Sequence, residues 1–336
     1  MTLAPLLAVP LACGVSAGLI VLLKPVLARY ALARPNARSS HRVPTPQGGG
    51  IAIVAAALLV AVGFALSAGA GDAGFLTLVI GALVLAVIGA VDDIRPLSPA
   101  LRFLLQALAV AAVVMAAGGR LLPEWPLWLE RIIAVLAGLW FVNLVNFMDG
   151  LDWMTVAEMV PLSGFLVVLG FGGGFGAVPT LLAAGLLGGL LGFAPFNRPV
   201  ARLFMGDVGS LPIGLLVAWL LYRLALEGQI VAALILPLYP VADATLTLLW
   251  RLKRGEKVWQ AHRSHFYQVA TVNGFSVPEV VGAVFALGLA LDALAAASLL
   301  WPSWPVRLLC LAGALALVAA LLRRFSRPKP SRTLRA

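Results

Sequence analysis

Two adjacent carboxylates open the chemistry of this chain, in Val91-Asp92-Asp93-Ile94. At that separation they repel, which favours either a divalent cation or a general base; a solvated helix end is the plain alternative. A second segment reads Asn143-Leu-Val-Asn146-Phe-Met-Asp149-Gly150-Leu-Asp152. Asn143, Asn146 and Asp149 are three apart, so a helix would stack them on one face, and Gly150 permits a tight turn. Two amides and two carboxylates at a membrane surface can hold Mg²⁺ and a sugar or base edge, or can simply cap a helix. The third segment runs from Asn197 through Arg202 to Gly206-Asp207-Val-Gly209-Ser210 and places a carboxylate between two glycines just before a helix. Glycine lets backbone N–H groups approach a phosphate, and Asp207 would bring the metal that neutralises a diphosphate. A glycine turn capped by Asp is the alternative.

Two further segments supply cations. Trp250-Arg-Leu-Lys-Arg254 leads into His262-Arg263-Ser-His265-Phe-Tyr-Gln268, a set suited to phosphate. Two histidines at i and i+3 are half a zinc site, yet neither Cys nor a third His is near, so zinc is not expected. Arg34 to Gly50 carries Asn36, Arg38, His41 and Arg42 before Pro44-Thr-Pro46-Gln47-Gly48. Its cations would meet a lipid phosphate or anionic headgroups.

These segments need a platform, and the composition says what kind. Of 336 residues, 62% are hydrophobic and 11% charged, and mean hydropathy is +1.01. A soluble domain is about half apolar and about a quarter charged. Lipid must therefore be the solvent. Apolar runs near the ~20 residues that span a bilayer cover 3–23, 50–68, 73–91, 101–118, 131–147, 157–172, 178–194, 208–223, 229–249, 278–300 and 303–322. The expected fold is all-α, a polytopic bundle of about eleven transmembrane helices. Residues 1–323 form one domain with inner loops 24–49, 92–102, 147–158, 195–207 and 250–277, and 324–336 form a basic tail. No basic segment precedes the first span, so a cleaved signal peptide is not expected. Of 24 Lys and Arg residues, 20 fall in the inner loops and in 323–336, which puts the N-terminus outside and the C-terminus inside. The net charge of +10 then reflects loop bias rather than nucleic-acid binding. Cys13 and Cys310 lie within apolar runs and read as packing residues.

All five polar segments and all three histidines fall on the inner side. Taken in order, the segments resemble the polyprenyl-phosphate N-acetylhexosamine-1-phosphate transferase family over about residues 34 to 268. No single segment is distinctive; the ordered set is. The resemblance implies a UDP-N-acetylhexosamine donor, an undecaprenyl phosphate acceptor and Mg²⁺, with Mn²⁺ a possible substitute. It also implies a cytoplasm-facing site in a bacterial inner membrane. By matching motif, Asp92 and Asp93 resemble the family's catalytic aspartate pair, and Asp207 its metal ligand. Asp149 and Asp152 resemble two loop aspartates near metal and nucleotide, Asp149 being expected with Asp207 as a catalytic residue and metal ligand, and Asn197 resembles an asparagine tied to uracil. His262 and His265 match a histidine motif on the donor diphosphate. With these go Asn143, Asn146, Arg202, Arg263 and His41 as binding residues. Asp243 in Pro-Val-Ala-Asp also has a family-like position.

Three departures stand out. The two histidines are separated, as in the enzymes that initiate O-antigen synthesis, where phospho-N-acetylmuramoyl-pentapeptide transferases have an adjacent run. Trp153 occupies a position commonly Gly, and Gln47 one commonly Arg. The expected activity is the initiating step of an O-antigen-like glycan, with peptidoglycan lipid synthesis the nearest alternative and a homodimer a possible assembly. A secondary transporter would place ionisable groups near the bilayer midplane and show a repeat between halves. Only Asp243 and Asp292 are candidates for such a place, and no internal repeat is apparent. A membrane scaffold would not need five inward-facing polar segments.

Overall fold

The computed structural model describes residues 4–33, 44–67, 69, 71–258, 260 and 262–329. His41 and its neighbours Arg34, Asn36, Arg38 and Arg42 lie outside the described residues.

The chain is a multi-pass helical membrane protein. Among the described residues nine helices are long and apolar enough to cross a bilayer. They are α1 (Ala4–Tyr30), α2 (Gly50–Ser67), α3 (Ala73–Ile94), α4 (Pro99–Ala116), α5 (Leu127–Met148), α6 (Met154–Phe171), α8 (Asp207–Leu226), α12 (Val277–Leu300) and α13 (Trp304–Phe325). Large apolar side chains such as Leu22, Leu59, Val87, Leu108 and Leu309 are exposed on the bundle's outside, as lipid-facing residues must be. The aromatic residues Trp125, Trp128, Trp301 and Trp304 are exposed at the end opposite the polar segments, where an interfacial belt is expected.

Two expected spans differ from simple rods. The seventh, α7 (Ala177–Phe193), has 17 residues, so at 1.5 Å per residue it reaches only about 25 Å. It survives because it is enclosed: α1, α2 and α6 pack around it. The ninth, expected over 229–249, is broken into α9 (Ile230–Ile235) and α10 (Leu238–Lys253). Pro237 stands at the break; it lacks an N–H and its ring collides with the preceding turn. A short helix, α11 (Phe266–Val272), then lies beneath α10 before α12 begins.

Alternation of direction brings the C-termini of α3, α5 and α10 and the N-terminus of α8 to one end. α8 is the most enclosed of the candidate spans, and α3 and α5 flank it. Gly89 of α3 allows the closest approach, since a Cβ there would lie 2.2 Å from the Asp207 carbonyl oxygen. The first inner loop joins the same corner. β1 (Leu32–Ala33) pairs antiparallel with β2 (Thr45–Pro46), and Phe204 N donates to Pro46 O at 2.8 Å. The N–H groups of Gly48 and Gly49 return to Phe204 O at 3.1 and 2.9 Å.

Candidate active site

Asp207 begins α8 directly after Gly206, whose φ of +78° suits glycine. Asp93, at the end of α3, holds that helix start: its Oδ1 accepts from Asp207 N at 3.1 Å and its Oδ2 from Val208 N at 3.2 Å. A helix N-terminus has unpaired N–H groups, so a carboxylate from a neighbouring helix is a natural partner. Asp93 therefore aims the Asp207 side chain rather than lining the open space. The Asp207 side chain accepts from Asn146 Nδ2 at 2.7 Å through Oδ1, and Asn146 also donates to Ser210 Oγ at 2.9 Å.

Arg102 closes the arrangement. Its Nη1 donates to Asp92 Oδ2 at 2.8 Å and lies 3.5 Å from Asp207 Oδ2. Asp92 is further fixed by Leu97 N–H, 2.6 Å from Oδ1. One guanidinium thus stands between two carboxylates from different helices. Sequence reasoning counted Arg102 only as inner-loop charge. A signal was available: a cation in the first turn of a helix opposes the helix dipole, so an Arg as the fourth residue of α4 calls for a reason.

Arg102, Asn146 and Asp207 border a cavity of about 640 Å³. Its lining mixes polar side chains, Arg102, Asn143, Asn146, Asp207, Gln260, His262, His265 and Gln268, with apolar ones that include Phe103, Leu139, Trp140 and Phe147. Gln260 is held by Arg251, whose Nη1 donates to its carbonyl at 3.2 Å; Arg251 Nε also donates to Glu256 Oε2 at 2.7 Å and Nη2 to the Lys257 carbonyl at 3.2 Å. Burial, then the His265 and Arg251 charges, push His262 down to about 4, so its ring is neutral near pH 7. A second cavity of about 360 Å³, almost wholly apolar, runs between α4, α5, α8 and α9, and both cavities touch Trp140.

Of the residues singled out in the sequence, Asn143, Asn146, Asp207, His262 and His265 come together on this cavity. Asp92 and Asp93 stand one layer behind. Asp149, Asp152, Asn197, Arg202 and Arg263 lie outside its lining. α5 ends at Met148, so Asp149 is not a third member of the Asn143–Asn146 helical face; it sits in the cap, its Oδ1 accepting from Thr155 Oγ1 at 2.7 Å. Asn197 is buried with its amide fully engaged: Oδ1 accepts from Trp153 N at 2.8 Å and Nδ2 donates to Leu203 O at 2.9 Å. Asp152 accepts from Ala201 N at 2.9 Å. Together they clamp the loop before α8 to the turn before α6. Trp153 is the one described non-glycine residue with positive φ, +66°, which is why glycine suits this position. Its indole Nε1 donates to Ala194 O at 2.6 Å, a contact glycine cannot make. Gln47 donates through Nε2 to Asp93 O at 3.3 Å, so it braces the end of α3. Arg202 is exposed, and its backbone N–H donates to Phe196 O at 2.9 Å.

Asp149 yields a pH test. Burial raises its carboxyl from 3.8 to about 7; the Thr155 hydrogen bond opposes the rise, and the Asp93 and Asp152 charges add to it. The folded state therefore binds this proton more tightly than the unfolded chain. The associated stability is full below about pH 4 and is lost as pH rises through about 7. In EDTA, Asp149→Asn should raise the thermal midpoint at pH 8 by about 2 °C, on the order of 1 kcal/mol after solvent screening. At pH 5 the two proteins should melt together; equal midpoints at both pH values would refute the assignment.

A divalent cation has a fitting donor here. Among the described residues no three His, Cys, Asp or Glu side chains converge as a closed metal cage. Mg²⁺ does not require one: it usually takes one or two carboxylates and completes its shell with water and substrate phosphate. Asp207, a quarter exposed on the cavity wall, meets that description.

Comparison with known proteins agrees with this geometry. The glycosyl transferase family 4 model matches residues 75–225, the segment containing Asp92, Asp93, Asn146 and Asp207. A probable undecaprenyl-phosphate N-acetylglucosaminyl 1-phosphate transferase of Bacillus subtilis is 26% identical over 80% of this chain and 79% of the relative. A decaprenyl-phosphate N-acetylglucosaminephosphotransferase of Mycolicibacterium smegmatis is 29% identical over 70% and 68%. A phospho-N-acetylmuramoyl-pentapeptide-transferase of Streptococcus pneumoniae is 28% identical over 66% and 73%. The segment that matches the family model builds the core of the site, and the chain is similar to relatives of this kind along most of its length.

Proposed function

We propose that the protein transfers an N-acetylhexosamine 1-phosphate from a UDP-sugar to undecaprenyl phosphate, releasing UMP, at the cytoplasmic face of a bacterial inner membrane. The observation that carries this is one cavity that gathers carboxylate, amide, guanidinium and imidazole groups together with apolar side chains. The polar groups suit a diphosphate with its sugar and base, and the apolar ones suit an isoprenoid phosphate. A second, apolar cavity that shares Trp140 would accommodate the lipid chain. The names of the relatives support the same reading, as does the basic bias of the loops at this end.

Within that reading each group has a task. Asp207 would hold Mg²⁺ (or Mn²⁺), which when bound withdraws charge from the donor diphosphate. Asp93 and Asn146 fix the Asp207 carboxylate before substrate arrives, so no reorganisation is needed during reaction. Arg102 balances two carboxylates and stands ready for a phosphoryl oxygen. An acceptor phosphate is already ionised at neutral pH, so Asp92 orients through Arg102 more than it removes a proton. His262 and His265 face the diphosphate. Asp149, Asp152 and Asn197 keep the turn and loop around the site in place.

The test is UMP release by purified protein in detergent, given undecaprenyl phosphate, Mg²⁺ and a panel of UDP-N-acetylhexosamines. The panel includes UDP-N-acetylmuramoyl-pentapeptide. UMP should appear only with lipid and should vanish with EDTA. A transporter would release none, with or without a gradient.

A further inference from the structure

α10 turns its polar side inward. Tyr239, Asp243, Thr247 and Arg251, spaced by four, form a buried ridge, while Leu249, Trp250 and Leu252 are exposed. Asp243 has no exposed surface, and both of its oxygens are in use. Oδ1 accepts from Phe266 N–H at 3.0 Å and from the Thr247 hydroxyl at 3.3 Å. Oδ2 accepts from Tyr267 N–H and from the Tyr239 hydroxyl, each at 3.2 Å. The fifth neighbour is His265, with Nδ1 3.2 Å from Oδ1.

The two backbone N–H groups can only donate, so Asp243 presents an acceptor on each oxygen. The Asp243 acceptor facing Nδ1 draws the ring proton to that nitrogen, in competition with the Gln268 N–H that faces the same side chain at the start of α11, and Nε2 lies away from Asp243. The ring plane is fixed as well. It stacks on Tyr267 at 5.7 Å and on Phe147 at 6.2 Å, with the His262 ring 4.8 Å away. The same imidazole lines the cavity.

We propose that Asp243 is a positioning residue for the transfer: it holds His265 with Nδ1 protonated, so that Nε2 serves the phosphoryl oxygens of the donor. The proposal rests on the phosphotransferase reading above. When Nε2 also carries a proton, the carboxylate on the far side of the ring balances the imidazolium. That charge then faces the oxygens that gain charge as the nucleoside monophosphate departs. Glu158 of α6 is the other acid near Asp243, and its buried carboxylate has no hydrogen-bond partner among the described residues, so it does not compete for the His265 ring.

The decisive measurement is the nitrogen spectrum of protein labelled with ¹⁵N-histidine, which needs no substrate. The chain has three histidines, and His265→Gln identifies the relevant signals. Expected is a proton on Nδ1 of His265 in the wild-type protein, moving largely to Nε2 in Asp243→Asn. In the UMP assay, Asp243→Asn should lower kcat about 10²-fold with donor KM changed less than about threefold. A wild-type His265 protonated on Nε2 with a bare Nδ1 would overturn the proposal, as would an unchanged kcat in Asp243→Asn. If the variant does not fold, the wild-type spectrum still decides. If no donor yields UMP while Nδ1 is protonated, the transfer reading fails and the Asp243–His265 geometry stands.

Discussion

Asp207→Asn should reduce UMP release at least about 10³-fold, the upper end of what one electrostatic group contributes at an active site. The substitution keeps shape and removes charge. Asn can still lie beside Asn146 and Arg102, and Asp93 still accepts from the backbone N–H groups of residues 207 and 208, so α8 keeps its start. What disappears is the one carboxylate among the described residues of the cavity lining able to draw a divalent cation to a diphosphate. Raising Mg²⁺ should therefore not restore turnover, and the thermal midpoint should shift by less than about 3 °C. Substantial Mg²⁺-dependent turnover in Asp207→Asn would remove Asp207 from the metal's shell.

Arg102→Ala should lower kcat/KM for the donor about 10²-fold, and Arg102→Lys should recover only part of it. The guanidinium contacts Asp92 at 2.8 Å and lies 3.5 Å from Asp207. Only a planar fork serves two carboxylates from different helices while keeping further N–H groups for a phosphate. Lysine offers a point charge and would satisfy one carboxylate at a time. Alanine leaves Asp92 and Asp207 facing each other without a cation between them. Steady-state kinetics with each substrate varied in turn checks this. Equal kcat/KM in Arg102→Lys and wild type would mean that a bare positive charge is sufficient.

The membrane bundle and the five polar segments were legible in the sequence, because span length and motif order are local properties. Asp92-Asp93, Asn146, Asp207 and the two histidines could be placed on one face for that reason. What could not be read was which of them see the cavity. Asn197 has the look of a ligand residue, yet both ends of its amide are spent on Trp153 and Leu203. Its partners lie on another loop, and no spacing rule reveals them. Arg102 escaped notice for the same reason, with Asp207 lying 105 residues away in sequence. The break at Pro237 was hidden by apolar composition, since a hydropathy run does not register a missing N–H. Trp153 shows the converse: the sequence marked it only as a departure from a common Gly, and the fold keeps the left-handed backbone there with Trp in place.

The central claim is that a sugar leaves its donor together with one phosphate. A UDP-N-acetylhexosamine labelled with ³²P in the β-phosphate and with ³H in the sugar tests it directly. After incubation with purified protein, Mg²⁺ and undecaprenyl phosphate, the lipid is extracted into butanol. Both labels should enter the lipid phase in the donor's own ratio, leaving unlabelled UMP in water. Tritium in the lipid without ³²P would mean that UDP, not UMP, is the leaving group, and would contradict sugar 1-phosphate transfer.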